Sequence, residues 1–293
     1  MPATIPVKDF NLAATLECGQ AFRWSRGADG WYTGVVGGEV WRLRQTGNSL
    51  EWETEGHASA WPPAGTTATV AQKRDPPYYL SLDRDLSDIV ATFPDDPHLR
   101  AAVQKYWGLR VLRQEPWETL ATFIASSTKQ IVQIRQIVEL LSQRFGRARW
   151  PQRAAGQRRG EATASDHCFP TVEAIARASL PELQACKLGF RAKYLHAAAR
   201  RIDRGEIRLE ALPAMEYGRA LEELLKLDGV GEKIANCTLL FSCGHDEAFP
   251  VDVWMKRALQ RLPAGTDFGP YAGWAQQYLF YHERNLRPSP LTA

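Results

Sequence analysis

From Trp31 to Thr54 (WYTGVVGGEVWRLRQTGNSLEWET) aromatic and β-branched residues come in near alternation with polar ones, and Gly37-Gly38 and Gly47-Asn48 punctuate the run. That period predicts two or three antiparallel strands joined by tight turns. From Pro116 onward the spacing changes. Leu120, Phe123 and Ile124, then Ile131, Ile134, Ile137, Val138 and Leu141, recur at three and four, which predicts two helices interrupted by the polar run SSTKQ at 126–130. Further helices are expected after an N-cap at Thr171, with Pro181 at a first helical position, and over 191–203, about 215–227, 232–243, 253–262, and Tyr271 to about Asn285. A Pro/Gly/Ala/Thr stretch, Trp61 to Thr69, ends the sheet, with helical signals starting near Leu86, and the segment 147–166, with five arginines, reads as a loop. The expected fold is α+β: a β-rich domain over 1–113 and an all-α domain over 114–293, without internal repeats.

Composition narrows the class without deciding the function. The 293 residues are 44% apolar and 24% charged, which excludes disordered and fibrous chains. No run of about 18 apolar residues is present, so no membrane span is expected. The first twenty residues lack the basic start and long apolar centre of a secretory signal, so a cytoplasmic protein is expected. Five cysteines at irregular positions fit neither a disulfide framework nor a C-x-x-C metal cassette. Residues 1–114 carry a net charge of −1 and 115–293 one of +4, so an anionic partner meets the second half first. Six of the ten tryptophans, Trp24, Trp31, Trp41, Trp52, Trp61 and Trp107, precede Trp117 and are expected chiefly on a packed sheet face.

The segment 221–237, LEELLKLDGVGEKIANC, carries the chemistry. A helix ends at Leu227, the turn Asp228-Gly229-Val230-Gly231 follows, and a second helix starts at Glu232. Two glycines one residue apart allow positive φ and a close approach, and amides at the second helix's start point outward as anion donors, a geometry suited to a nucleic-acid phosphate. A dinucleotide fingerprint is the weaker alternative, because the third glycine is missing and a helix, not a strand, precedes the turn. Lys233 stands against the positive end of the second helix's dipole, the type of lysine that can attack carbon and form a Schiff base. Nineteen residues on, Asp252 in FPVDVW can cap a helix, stabilise positive charge on a sugar as its base departs, or do both. Ser126-x-x-Lys129 matches a penicillin-binding pattern without its partner motifs, and Asn236-Cys237-Thr238 matches a glycosylation acceptor inside an expected helix. Neither is read as functional.

The helix-hairpin-helix LDGVGEKIANC followed by FPVDVW resembles the helix-hairpin-helix DNA glycosylases. ECGQAFRW (17–24), KLGFRAKY (187–194) and GPYAGWAQQYLF (269–280) narrow the resemblance to the 8-oxoguanine DNA glycosylase family, over most of the chain. The resemblance implies a TATA-binding-protein-like antiparallel β domain packed on a helical domain, with damaged double-stranded DNA bent across the helical face. It implies that Lys233 attacks the anomeric carbon, that Asp252 assists, and that the Schiff base permits β-elimination. By motif position, the Gly19 carbonyl would meet the N7–H of 8-oxoguanine, Cys237 and Phe280 would flank the extruded base, and Gln276 would bond its Watson–Crick edge. Gly229, Val230 and Gly231 would contact DNA. Thr128, Lys129 and Gln130 stand where the family has an asparagine-rich run, and Gln133 where it has an arginine, positions that read the orphaned cytosine. Arg191 keeps one cytosine contact. Trp254 replaces a histidine that some relatives carry near the 5′ phosphate. No metal or organic cofactor is expected, since the four-cysteine iron–sulfur loop of some relatives is missing after Asp252. A monomer is expected. A glycosylase for alkylated or other damaged bases and a catalytically silent DNA-binding protein remain alternatives, the hairpin alone sufficing for the second.

Overall fold

A computed structural model of the chain describes residues 2–55, 75–148 and 167–286. Its strands β1 (Ala3–Pro6), β2 (Trp24–Arg26), β3 (Tyr32–Val36), β4 (Glu39–Thr46) and β5 (Ser49–Glu55) form one antiparallel sheet in the order β1-β5-β4-β3-β2. Where alternation predicts two or three strands, three form the centre of the sheet, β3, β4 and β5. Gly37 and Gly38 both take positive φ in the β3–β4 turn, and Gly47 does so between β4 and β5. One face buries Trp24, Trp41, Leu43 and Leu50 against Leu12 and Leu16 of α1 (Leu12–Glu17), with Tyr79 and Leu80 beside them. On β3's approach, Trp31 is buried by the guanidinium groups of Arg42 and Arg44, 4.9 and 4.6 Å from its ring. Trp107 departs from the expected sheet packing: it is 39% exposed and donates to Asp9 Oδ1 at 2.9 Å. The stretch 61–69, most of 147–166 and its arginine-rich core lie outside the described residues.

The helices are α2 (Pro76–Tyr79), α3 (Leu86–Ala91), α4 (Pro97–Lys105), α5 (Pro116–Ser126), α6 (Ile131–Phe145), α7 (Val172–Arg177), α8 (Leu180–Leu183), α9 (Arg191–Asp203), α10 (Tyr217–Leu225), α11 (Glu232–Thr238), α12 (Val253–Leu259) and α13 (Ala272–Leu286). Thr171 caps α7 as expected, whereas Pro181 stands second in α8, after Leu180, with Ser179 as the cap. The expected single helix over 232–243 changes pitch at Leu239, where a wider turn runs to Cys243 and stops at Gly244 with φ +80°. Helix α5 is buried nearly all round, as befits the central rod of an α domain.

Side chains on both sides of residue 113/114 share two of the three apolar clusters. Phe22, Leu86, Ile89 and Val111 enter the core around α5. Leu99, Ala102 and Val103 of α4, with Ala14 and Cys18, pack on Met255 and Ala258 of α12 and on Ala275, Tyr278 and Leu279 of α13. Polar ties reinforce this. Gln20 donates to the carbonyls of Thr15 and Arg110 and accepts from the Leu112 amide, and Gln277 of α13 donates to the Cys18 carbonyl at 3.2 Å. The segment after α1 is thereby held against the last helix.

Candidate active site

Between that segment, the α5–α6 connection, α11 and α13 lies a cavity of about 910 Å³. It brings together nine of the residues singled out in the sequence: Gly19, Thr128, Lys129, Gln130, Lys233, Cys237, Asp252, Gln276 and Phe280. Arg191, Gly229, Val230 and Gly231 are not among its lining. Four basic side chains, Lys129, Lys233, Lys256 and Arg284, line it against one carboxylate, Asp252, so its mouth favours an anion.

Lys233 lies in the first turn of α11, and its position follows from the turn before it. Gly229 takes φ +78°, and a Cβ there would stand 2.4 Å from the Tyr194 ring, so only glycine lets the hairpin close on α9. Gly231 differs from the expectation: its φ of −95° is ordinary extended backbone, and it serves as the N-cap of α11. Val230 also differs. Its side chain is in the core and its amide donates to the Leu227 carbonyl, so it anchors the hairpin from within and offers no amide outward. Beyond the hairpin the ammonium of Lys233 sits 4.6 Å from the Phe123 ring centroid and donates to Ser126 Oγ at 3.4 Å. Ser126 is thus joined to a lysine, but through space and not through the S-x-x-K spacing.

Asp252 caps α12, its Oδ1 accepting from the amides of Trp254 and Met255, both at 2.9 Å. This is the capping role, and it leaves Oδ2 free of the helix. The approach to Asp252 is fixed by Asn236, whose Oδ1 accepts from the Phe249 amide and the Tyr217 hydroxyl while its Nδ2 donates to the Glu232 carbonyl. Asn236 is buried, which agrees with dismissing it as a glycosylation acceptor. Cys237, one turn beyond Lys233, is buried too, and burial raises its thiol to about 11 although the neighbouring lysine pulls the other way. It is a neutral, polarizable wall.

Gln276, Phe280 and Arg284 occur at intervals of four on α13 and present one helix face to the cavity. Gln276 Nε2 donates to the Pro250 carbonyl at 3.0 Å, while its buried Oε1 has no partner among the described residues. Gly19, with φ +90°, lies against that face: a Cβ on it would be 3.5 Å from Phe280 and 2.9 Å from Arg284 Nη1. Across the cavity, Thr128 holds φ +59°, a conformation costly for a β-branched residue. Gln133 fills the role of a helix cap, accepting from the Gln130 amide. Arg191 is turned inward, 4% exposed, with Nη1 donating to the Ser127 carbonyl at 3.0 Å, so it braces this connection. Three exposed apolar residues had no sequence signal: Val132 and Val253 at the cavity rim, 73% and 63% exposed, and Phe190 beside Arg191, 59% exposed.

Two family models cover most of the chain. Residues 3–120 match the 8-oxoguanine DNA glycosylase N-terminal domain, and residues 121–270 match the HhH-GPD superfamily of base excision DNA repair proteins. The chain belongs to the 8-oxoguanine DNA glycosylase family. An N-glycosylase/DNA lyase OGG1 of Arabidopsis thaliana is 29% identical over 96% of this chain and 80% of its own length. A probable N-glycosylase/DNA lyase of Methanothermobacter thermautotrophicus is 30% identical over 71% and 73%. Among solved structures, the Clostridium acetobutylicum 8-oxoguanine glycosylase/lyase bound to duplex DNA with cytosine opposite 8-oxoguanine superimposes with a TM-score of 0.81, at 30% identity and 98% coverage of both chains. A 3-methyladenine DNA glycosylase of Archaeoglobus fulgidus, TM-score 0.71 and 19% identity, shares the fold. The antiparallel sheet with a helical helix-hairpin-helix domain is therefore the architecture of 8-oxoguanine glycosylases.

Proposed function

We infer that this protein is a bifunctional DNA glycosylase and abasic-site lyase that excises 8-oxoguanine from duplex DNA in base excision repair. The carrying observation is the meeting of a lysine amine and a carboxylate, Lys233 and Asp252, in one cavity large enough for a purine and walled by Gly19, Cys237, Gln276 and Phe280. Extrusion of the base is required because its glycosidic carbon is not reachable inside a stacked duplex. In this reading Lys233 Nζ attacks C1′ of the lesion nucleotide. The bond from C1′ to N9 breaks, the base leaves with the electron pair and takes a proton, and Asp252 offsets the positive charge that builds on the sugar. The amine retained on C1′ opens the ring to a Schiff base. Loss of a proton from C2′ then expels the 3′ phosphate and nicks the strand.

Recognition is assigned residue by residue. The Gly19 carbonyl accepts the N7–H that 8-oxoguanine has and guanine lacks. With guanine two acceptors would face each other in a dry site, at a cost of about 1–3 kcal/mol. Cys237 and Phe280 flank the base, and the Oε1 of Gln276, without a partner among the described residues, supports pairing with the donors of the Watson–Crick edge. Lys129, Gly229 and Gly231 are assigned to the DNA backbone, Thr128 and Gln130 to the space vacated by the base, and Arg191 to holding the 127–130 connection in place. The chain acts as a monomer without metal or organic cofactor, in the cytoplasm, on chromosomal DNA. In borohydride, wild-type protein should form a covalent complex with lesion duplex, and Lys233→Gln should lose the complex while retaining DNA affinity through its phosphate contacts. Undiminished trapping in that variant would remove Lys233 from the chemistry.

A further inference from the structure

Arg284 stands two turns beyond Gln276 and one beyond Phe280 on the cavity face of α13, yet the chemistry above does not use it. Its guanidinium is held from behind: Nη2 donates to the Glu17 carbonyl at 2.7 Å, and its planar head lies 5.5 Å from the Phe280 ring and 5.0 Å from that of Tyr281. Nη1 is buried and has no hydrogen-bond partner among the described residues. It stands at the edge of Gly19, so close that any side chain on Gly19 would meet it at 2.9 Å. No carboxylate is paired with it among the described residues. A buried donor with an idle hydrogen, aimed beside the carbonyl assigned to N7–H, calls for an acceptor supplied from outside the chain.

We propose that Arg284 is a base-reading residue whose Nη1 donates to one of the two carbonyl oxygens that flank N7–H on 8-oxoguanine, on C8 or on C6. The inference rests on the reading of the cavity as the pocket for that base. Gly19 and Arg284 then form an acceptor–donor pair matching a donor–acceptor pair on the lesion, while Gln276 takes the opposite edge. A fixed cation at this point also opposes entry of a cationic N7-alkylated purine, which offers a methyl group where the lesion offers N7–H.

The test uses Arg284→Met, which keeps the stem length and its packing on Phe280, with Arg284→Lys as the conservative variant. Single-turnover excision of 8-oxoguanine and nicking of a preformed abasic site, which has no base to read, are measured in parallel. Arg284→Met should lose tenfold or more in excision relative to its own abasic nicking, and Arg284→Lys should recover part of that loss. Repeating excision on 8-oxo-2,6-diaminopurine, which keeps the C8 oxygen and carries an amine on C6, assigns the oxygen. An equal methionine penalty on both lesions places it on C8, and a penalty confined to 8-oxoguanine places it on C6. Excision and nicking falling together, or neither falling, would overturn the role of Arg284. A wild-type protein that nicks abasic sites but leaves 8-oxoguanine untouched would instead overturn the reading of the pocket.

Discussion

Thr128 is a β-branched residue at φ +59° in the cavity wall, where a strained backbone costs about 1–3 kcal/mol. Asparagine tolerates that conformation better. Thr128→Asn should therefore raise the melting temperature by about 2–4 °C, the size expected of ~1 kcal/mol in a chain of this length, as read by calorimetry; an unchanged or lower value would mean that the threonine is not strained. The same connection governs pairing. With Thr128, Lys129, Gln130 and Gln133 in place of the residues expected to read cytosine, and Arg191 occupied with the Ser127 carbonyl, excision of 8-oxoguanine should proceed opposite several bases. A duplex panel reads this directly, and a cytosine preference above about 200-fold, more than a single arginine contact of ~1–3 kcal/mol provides, would refute it. The places of Lys233, Asp252 and Gln276 on the cavity were legible because motifs carry them. Arg284 and the inward turn of Arg191 were not, since no local pattern tells which way a long cation on a helix will point.

At the scale of elements, α5 starts on a half-buried acid. Glu115 caps it, accepting from the amides of Trp117 at 3.0 Å and Glu118 at 2.6 Å, yet burial outweighs those bonds and lifts its carboxyl to about 7; burial raises Glu118 as well, opposed by Arg23. A folded value above the unfolded one means that the folded state binds more protons. The stability contributed by Glu115 is then full below about pH 4.5 and declines as pH rises through about 7. The full shift corresponds to about 3 kcal/mol, and the partial solvent contact of Glu115 reduces this to roughly 1 kcal/mol. Denaturant midpoints between pH 5 and 8 should fall for the wild type and flatten for Glu115→Gln; parallel profiles would absolve this cap. Gly229 offers a second test. With φ +78° and Tyr194 at 2.4 Å, Gly229→Ala should cost about 2–4 kcal/mol through strain and overlap, whereas Gly231→Ala, with nothing near its Cβ, should cost only a few tenths beyond the loss of a glycine cap. The hairpin and most helices after Pro116 were readable from spacing. Strands β1 and β2 were not, because four and three residues are too few to show a period and they exist through pairing: Ile5 opposite Leu50, Trp24 opposite Gly34.

Across the whole molecule, four basic side chains converge on the cavity although the net charge is only +3. Binding to duplex DNA should weaken with salt, and Lys129→Ala and Lys256→Ala should each reduce the slope of log Kd against log salt by about 0.9 if each releases one counterion; unaltered slopes would place the phosphate path elsewhere. The cavity's far wall could not be foreseen from local sequence, since Gly19 and α13 are distant in the chain and meet through Gln277 to Cys18 and Arg284 to Glu17. On the proposed function, that long-range seam would carry a cost for the cell. If that seam parts, the wall formed by Gly19 and α13 is lost while the hairpin, anchored by Val230 in the core around α5, survives. On the proposed function, a frayed molecule would then be a decoy, able to sit on DNA but not to repair it, and it would shield lesions from intact copies in proportion to its abundance.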